Sequence, residues 1–307
     1  MSRIEEALRR AGQPPAPEAG SPVGEAAPPS VHSSQPDEVA APWDFSDTPA
    51  AEAEAANAEL AFGEARTPRP TVAAFQGFTA LQSEKLVVAK DAVPTQVEQF
   101  RKLAATLHES QKTRQLRIVM IASAVAGEGK TLTSTNLALT FSESYHRTVL
   151  LIDADLRRPS LSEVFQVPNS AGLMEGLTSH EDQQLPLVKI SSFLTLLTAG
   201  RPSPDPMRAL SSERMRRILQ EAAARYDWVI IDTPPVAMLP DANLLASMVD
   251  GAVLVVRAAS TPYRLVQKAV HALGRDRILG VVLNRAESAA EESYYYDAYY
   301  KRDVATR

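Results

Sequence analysis

Six residues of this 307-residue chain, Ala126-Gly127-Glu128-Gly129-Lys130-Thr131, have the types and spacing to hold a polyphosphate. The glycines let backbone N–H groups close around an anion, Lys130 can reach the β and γ phosphates, and the Thr131 hydroxyl can ligate Mg2+. The strict pattern for such a loop has glycine at position 124, where this chain has alanine. Two other segments deliver carboxylates: Leu150-Leu151-Ile152-Asp153-Ala154-Asp155-Leu156-Arg157-Arg158-Pro159 and Val229-Ile230-Ile231-Asp232-Thr233-Pro234-Pro235. Beside a metal-bound triphosphate, one carboxylate can hold the metal while another accepts a proton from an attacking hydroxyl, as phosphoryl transfer requires. Simpler readings stay open: an ordinary glycine turn, a solvated loop in which Arg157 and Arg158 pair with the acids, and an aspartate that caps the turn before Pro234 and Pro235.

Each of these segments needs a strand to deliver it. Short apolar runs predict strands over Arg117–Ala122, Thr148–Ile152, Phe193–Leu197, Trp228–Ile231, Ala252–Val256 and Ile278–Leu283. They are rich in Val, Ile and Leu on both faces, as a doubly covered sheet requires. Leu132 to Phe141 reads as a helix directly after the glycine-rich loop. Met215, Ile218, Leu219 and Ala222 mark a second helix, and Leu265, Val266, Ala269, Val270 and Leu273 a third, for which Thr261 is the expected N-cap and Pro262 the first-turn proline. The alternation predicts one α/β domain, a mostly parallel sheet covered by helices on both faces, with ligands at the carboxyl ends of the strands. Upstream, a helix opens near Thr95 with Phe100, Leu103 and Leu107 on one face. Thr95 and Glu98 have capping-box spacing, whereas the charged pair Glu98 and Arg101 can instead meet a neighbouring subunit.

The flanks differ in composition. Eleven of the 22 prolines precede residue 92, in Ala/Pro/Glu/Ser-rich text that holds too few large apolar groups to offset ordering entropy. Residues 12–92 are therefore expected to be a disordered linker, preceded by a short amphipathic helix at 1–11 carrying Ile4, Ala7, Leu8 and Ala11, for which a fraying end is the alternative. The folded domain is expected over 93–286 and a flexible tail over 287–307. That tail holds Tyr294, Tyr295, Tyr296, Tyr299 and Tyr300 among charged neighbours and without clean alternation, so an aromatic strand or latch fits less well than a set of modifiable hydroxyls. A net charge of −5 argues against a broad nucleic-acid surface. The absence of cysteine excludes disulfides and thiolate-ligated metal or iron–sulfur sites and makes a cytosolic address the default. No apolar run approaches the roughly 18 residues of a spanning helix and no secretory signal opens the chain, so membrane association is expected through another protein.

In this order the motifs resemble those of the bacterial tyrosine kinases of exopolysaccharide and capsule synthesis, in their separate cytoplasmic form, over about residues 95–300. The glycine-rich loop and both aspartate segments carry the likeness, with Leu197-Thr198-Ala199-Gly200, Pro204-Asp205-Pro206, Gly280-Val281-Val282-Leu283-Asn284-Arg285 and the tyrosine run. The resemblance implies a P-loop NTPase of the deviant Walker type, related to partitioning and septum-site ATPases, although Val125 stands where those carry a signature lysine. It implies ATP and Mg2+ as cofactors. Ala126, Gly127, Glu128, Gly129, Lys130, Thr131 and Leu132 would bind the nucleotide with Asn284 and Arg285; Lys130 and Asp153 would be catalytic, Asp153 as base toward a tyrosine hydroxyl; Thr131, Asp155 and Asp232 would hold the metal. The five tail tyrosines would be the acceptors, modified between subunits of a homo-oligomeric ring in which Glu98 and Arg101 take part, while Ala104 replaces a further arginine usual in that helix. Implied partners are a membrane-embedded polysaccharide co-polymerase that activates the kinase and holds it at the inner face of the cell membrane, and a cognate tyrosine phosphatase, with no nucleic acid. Two functions compete with autophosphorylation: a positioning or partitioning ATPase, disfavoured by Val125 and the tyrosines, and a non-catalytic ATP-binding regulator, disfavoured by the complete set of loop and aspartates.

Overall fold

In the computed structural model, which describes residues 75, 77–78, 85–89, 92–179, 185–239 and 241–286, all six expected strands form and one more joins them. The strands are β1 Ile118–Ser123, β2 Val149–Asp153, β3 Leu187–Lys189, β4 Leu194–Leu197, β5 Trp228–Asp232, β6 Gly251–Arg257 and β7 Ile278–Asn284. Eight α-helices are described: α1 Pro94–Arg114, α2 Lys130–Leu139, α3 Leu161–Val164, α4 Leu173–Thr178, α5 Met207–Leu210, α6 Glu213–Arg225, α7 Asp241–Ala246 and α8 Tyr263–Leu273. The sheet order is β3-β4-β2-β5-β1-β6-β7. Every pairing is parallel except that of β3 with β4. The three residues of β3 are too few to show a strand period, so no sequence signal announces this edge.

Alternation along each strand divides the interior into two apolar layers. Met120, Leu150, Ile152, Val229, Ile231 and Leu254 face one, with the buried stripes of α6 and α8. Val119, Ile121, Val149, Leu151, Trp228, Ile230 and Val253 face the other, with Leu137, Phe141 and Leu107. Phe141 stacks on Trp228 with ring centroids 4.5 Å apart. Because both faces are buried, register is strongly specified: a one-residue slip would exchange the two layers. That register sets Asp153 beside Asp232, and Asp232 beside Ile121.

Several expected boundaries differ. The domain begins before residue 92: Leu86, Val87, Val88 and Ala89 are buried, and the Asn136 side chain on α2 accepts from the Val87 N–H at 2.9 Å and donates to the Lys85 carbonyl at 3.0 Å. Phe75 and Phe78 also pack on Phe165. This short apolar stretch is diluted by its proline-rich context when composition is read over the whole segment. The helix expected over Leu132 to Phe141 starts at Lys130 and ends in a π-helical turn, Thr140–Ser144. The capping box fails because Pro94 takes the first helical position and Val93 the cap, leaving Thr95 inside the helix. Pro262 likewise displaces Thr261 from the cap of α8. The expected helix at 1–11, most of the linker and the tyrosine tail lie outside the described residues. Among the described residues no helix is long and apolar enough to cross a membrane.

Candidate active site

The carboxyl ends of β1, β2 and β5 place the glycine-rich loop, Asp153 and Asp232 at one sheet edge. Gly127 and Gly129 adopt φ of +81° and +93°. At Gly129 a Cβ would also lie 2.0 Å from Asn284 Nδ2, so both backbone conformation and a close neighbour require glycine. Ala124 needs no such freedom: it is fully buried in the core, and its carbonyl accepts from Ala237 N–H. The alanine that breaks the strict pattern is thus a packing residue. Gly129 caps α2 and makes no side-chain cap hydrogen bond, which leaves first-turn N–H groups for an anion. Ala126 and Gly127 are exposed, and Leu132 leans on the core.

Lys130 and the three aspartates form one electrostatic unit. Lys130 Nζ lies 3.3 Å from Asp155 Oδ2. Burial opposes its charge, yet Asp232, Asp155 and Asp153 outweigh burial and hold the ammonium above its ordinary range. Asp153 is fully buried, with Oδ2 accepting the N–H groups of Ser160 and Leu161 at 3.0 Å each and Oδ1 that of Asp155 at 3.2 Å. Burial first, and then the charge of Asp232, push its carboxyl up to about 7. A carboxylate with that affinity for protons could act as a general base near neutral pH. Asp232 is also raised by burial, to about 6, against the pull of Lys130 and of the Thr131 hydroxyl, which donates to its Oδ2 at 2.7 Å.

The donor set suits Mg2+. Asp232 Oδ1 is buried with no well-formed hydrogen bond among the described residues, while Thr131 and Asp155 add hard oxygens close by. Among the described residues no three His, Asp or Glu side chains converge into a metal cage. Mg2+ is commonly held through one or two carboxylates together with substrate phosphates, so this arrangement fits a metal that arrives with nucleotide.

Other expected residues land differently. Arg157 pairs with neither Asp153 nor Asp155. It makes a bidentate ion pair with the fully buried Asp241 at the start of α7 and donates to the Pro204 carbonyl. Asn284, at the end of β7, donates from Nδ2 to the Glu128 carbonyl at 2.7 Å, and Arg285 N–H returns to Asn284 Oδ1. Both thus stand at the loop, Arg285 exposed. Glu98 and Arg101 pair with each other at 2.7 Å on α1, away from these aspartates in sequence and partly exposed. Ala104, at the position where the resemblance implies another arginine, is fully buried beside Leu107 and has no room to present a charge outward. Sequence reasoning does not find Ser160: its N–H holds Asp153, and its Oγ lies 3.0 Å from Thr131 Oγ. A serine preceding Leu161 is the available signal, but α3 is too short to announce a cap.

Comparison with known proteins gives a coherent setting. The ParA family model, described as NUBPL iron-transfer P-loop NTPase, matches residues 114–306. Tyrosine-protein kinase YwqD of Bacillus subtilis is 37% identical over 202 residues, 65% of this chain and 85% of that protein. Tyrosine-protein kinase CpsD of Streptococcus agalactiae is 32% identical over 213 residues, covering 67% and 90%. The solved kinase domain of the Escherichia coli tyrosine kinase ETK is 33% identical with a TM-score of 0.56, covering 63% of this chain and 78% of that domain.

Proposed function

This chain belongs to the bacterial tyrosine-protein kinases, on the ParA-like P-loop NTPase fold, and from that premise we propose that it transfers the γ-phosphoryl group of ATP to tyrosines of its own C-terminal tail. The observation that carries the reading is the convergence of Lys130, Thr131, Asp153, Asp155 and Asp232 at one sheet edge in a chain that follows β7 with five clustered tyrosines. In this reading the glycine-rich loop and Lys130 bind the phosphates, and Lys130 exchanges its Asp155 partner for phosphate oxygens. Thr131, Asp155 and Asp232 would hold Mg2+, which when bound would neutralise charge on the β and γ phosphates. Asp153 accepts the proton of the tyrosine hydroxyl; its three backbone hydrogen bonds orient the carboxylate, and burial supplies its proton affinity. Asn284 and Arg285 flank the nucleotide from the end of β7.

The further parts of the proposal are assembly and control. Phosphorylation passes between subunits of a homo-oligomeric ring in which the exposed parts of Glu98 and Arg101 take part. A membrane-embedded polysaccharide co-polymerase recruits and stimulates the kinase at the inner membrane face, and a cognate phosphatase resets it, so that exopolysaccharide or capsule export is cycled. Each phosphotyrosine adds about −1.5 to −2 charge, and several together repel one another and the acidic site, which releases the tail. The test is incubation of the purified chain with Mg-ATP, with and without the co-polymerase's cytoplasmic segment, and mapping of phosphotyrosine by mass spectrometry. Phosphate on Tyr294, Tyr295, Tyr296, Tyr299 or Tyr300 in the unaltered chain but not in Lys130→Met is expected. Release of free phosphate with an unmodified tail refutes autophosphorylation and favours the ATPase alternative.

A further inference from the structure

A carboxylate inside an anion-binding loop is an electrostatic liability, because facing the phosphates it would repel them. Glu128 occupies that position, and it is 2% exposed. Its side chain turns toward the protein wall. Oε2 accepts the Val125 N–H at 2.8 Å, and Oε1 accepts the Arg257 N–H at 3.3 Å and the buried Thr261 hydroxyl. The first contact clamps the loop across Ala126 and Gly127. The other two tie it to the end of β6 and to the turn before α8, while the Glu128 carbonyl is tied to β7 through Asn284. All of these donors are neutral, and together they engage both carboxyl oxygens of Glu128.

We propose that Glu128 is a positioning residue that holds the phosphate loop open through Thr261, a residue on the wall behind it. The proposal rests on the reading of residues 126–131 as a nucleotide cradle. If the loop's shape depends on this clamp, a change at Thr261 weakens nucleotide binding without touching the nucleotide. Thr261→Val keeps the shape of the side chain and removes its hydroxyl; Thr261→Ser keeps the hydroxyl. Glu128→Gln brings an amide N–H to face one of three donors.

The experiment measures Kd for a fluorescent ADP derivative and KM and kcat with Mg-ATP, with circular-dichroism melting to verify folding. Thr261→Val is expected to raise Kd and the KM for ATP about tenfold, equivalent to about 1.4 kcal/mol, with the effect on KM rather than kcat. Thr261→Ser should restore Kd to within about twofold. The double variant Glu128→Ala/Thr261→Val should bind no more weakly than Glu128→Ala alone, since without an acceptor at position 128 the Thr261 hydroxyl has no loop contact left to lose. A folded Thr261→Val with Kd within about twofold of the unaltered chain, or additive losses in the double variant, overturns the proposal. Lys130→Met separates the two levels: lost binding there with an unaffected Thr261→Val sinks only the role of Glu128, whereas undiminished binding in Lys130→Met sinks the nucleotide cradle and this proposal with it.

Discussion

Replacing Arg157 by methionine leaves Asp241 with its carboxylate fully buried and its guanidinium partner gone. Breaking a buried ion pair from one side costs about 3–5 kcal/mol, because the remaining charge is neither hydrated nor paired. The Arg157 side chain is 26% exposed, so water already screens part of the interaction, and about 2–4 kcal/mol is the expected loss. For domains of roughly 150–250 residues each kcal/mol lowers Tm by about 2–4 °C, which places the drop between about 4 and 16 °C. Urea denaturation at fixed pH measures the free energy directly. If the stranded charge is the cause, Arg157→Met/Asp241→Asn should recover most of the loss, since the neutral amide no longer needs a cation. Activity should fall as well, because Arg157 anchors the turn whose Ser160 and Leu161 N–H groups hold Asp153. Loss below about 0.5 kcal/mol in the single variant, or a double variant no more stable than the single, would refute the reasoning.

Protonation of Asp153 gives a pH signature. Its carboxyl stands at about 7 in the fold against an ordinary value of 3.8, so the native state retains a proton that the unfolded chain has released. This group therefore contributes stability that is lost as pH rises from about 4 to about 7 in the nucleotide-free chain, and Asp153→Asn should flatten that portion of the stability profile between pH 4 and pH 8. Superimposable profiles would count against the raised value. Gly129→Ala forces a Cβ to 2.0 Å from Asn284 Nδ2 at a φ of +93°, so nucleotide binding in a fluorescence titration should fall at least tenfold and stability by about 1–2 kcal/mol. Truncation should locate the start of the domain: a chain beginning at 92 loses buried Leu86, Val87 and Val88 and should be roughly 2–5 kcal/mol less stable than one beginning at 72, with equal urea midpoints arguing that the segment does not contribute.

Much of the fold was legible because the relevant signals are local. Uninterrupted Val/Ile/Leu runs identify strands buried on both faces, and the stripes at Met215 to Ala222 and Leu265 to Leu273 identify helices that rest on them. The glycine-rich loop was visible for the same reason, since positive φ at Gly127 and Gly129 is a property of single residues. Helix starts were less legible. At Thr95 and Thr261 a good capping residue lay next to a proline, and proline's fixed φ decided the start at Pro94 while it displaced Thr261 by taking the cap at Pro262. The buried stretch Leu86–Ala89 was hidden because short apolar segments become informative only once the surface that receives them is known.

By itself the sequence determined which groups this protein brings to chemistry: a phosphate loop, an amine, a hydroxyl, three strand-end carboxylates and a run of phenols. Only the tertiary structure decided what each side chain meets. The hydrogen bond from Thr131 to Asp232 closes across 101 residues, the Arg157–Asp241 pair across 84, and the Glu128–Thr261 contact across 133. Such partners are chosen by strand order and register, which put Asp153 beside Asp232 and carry the ends of β6 and β7 to the loop. Proton affinity follows from that placement, because burial and neighbouring charge raise Asp153, and neither can be read from the residues on either side of it in the chain.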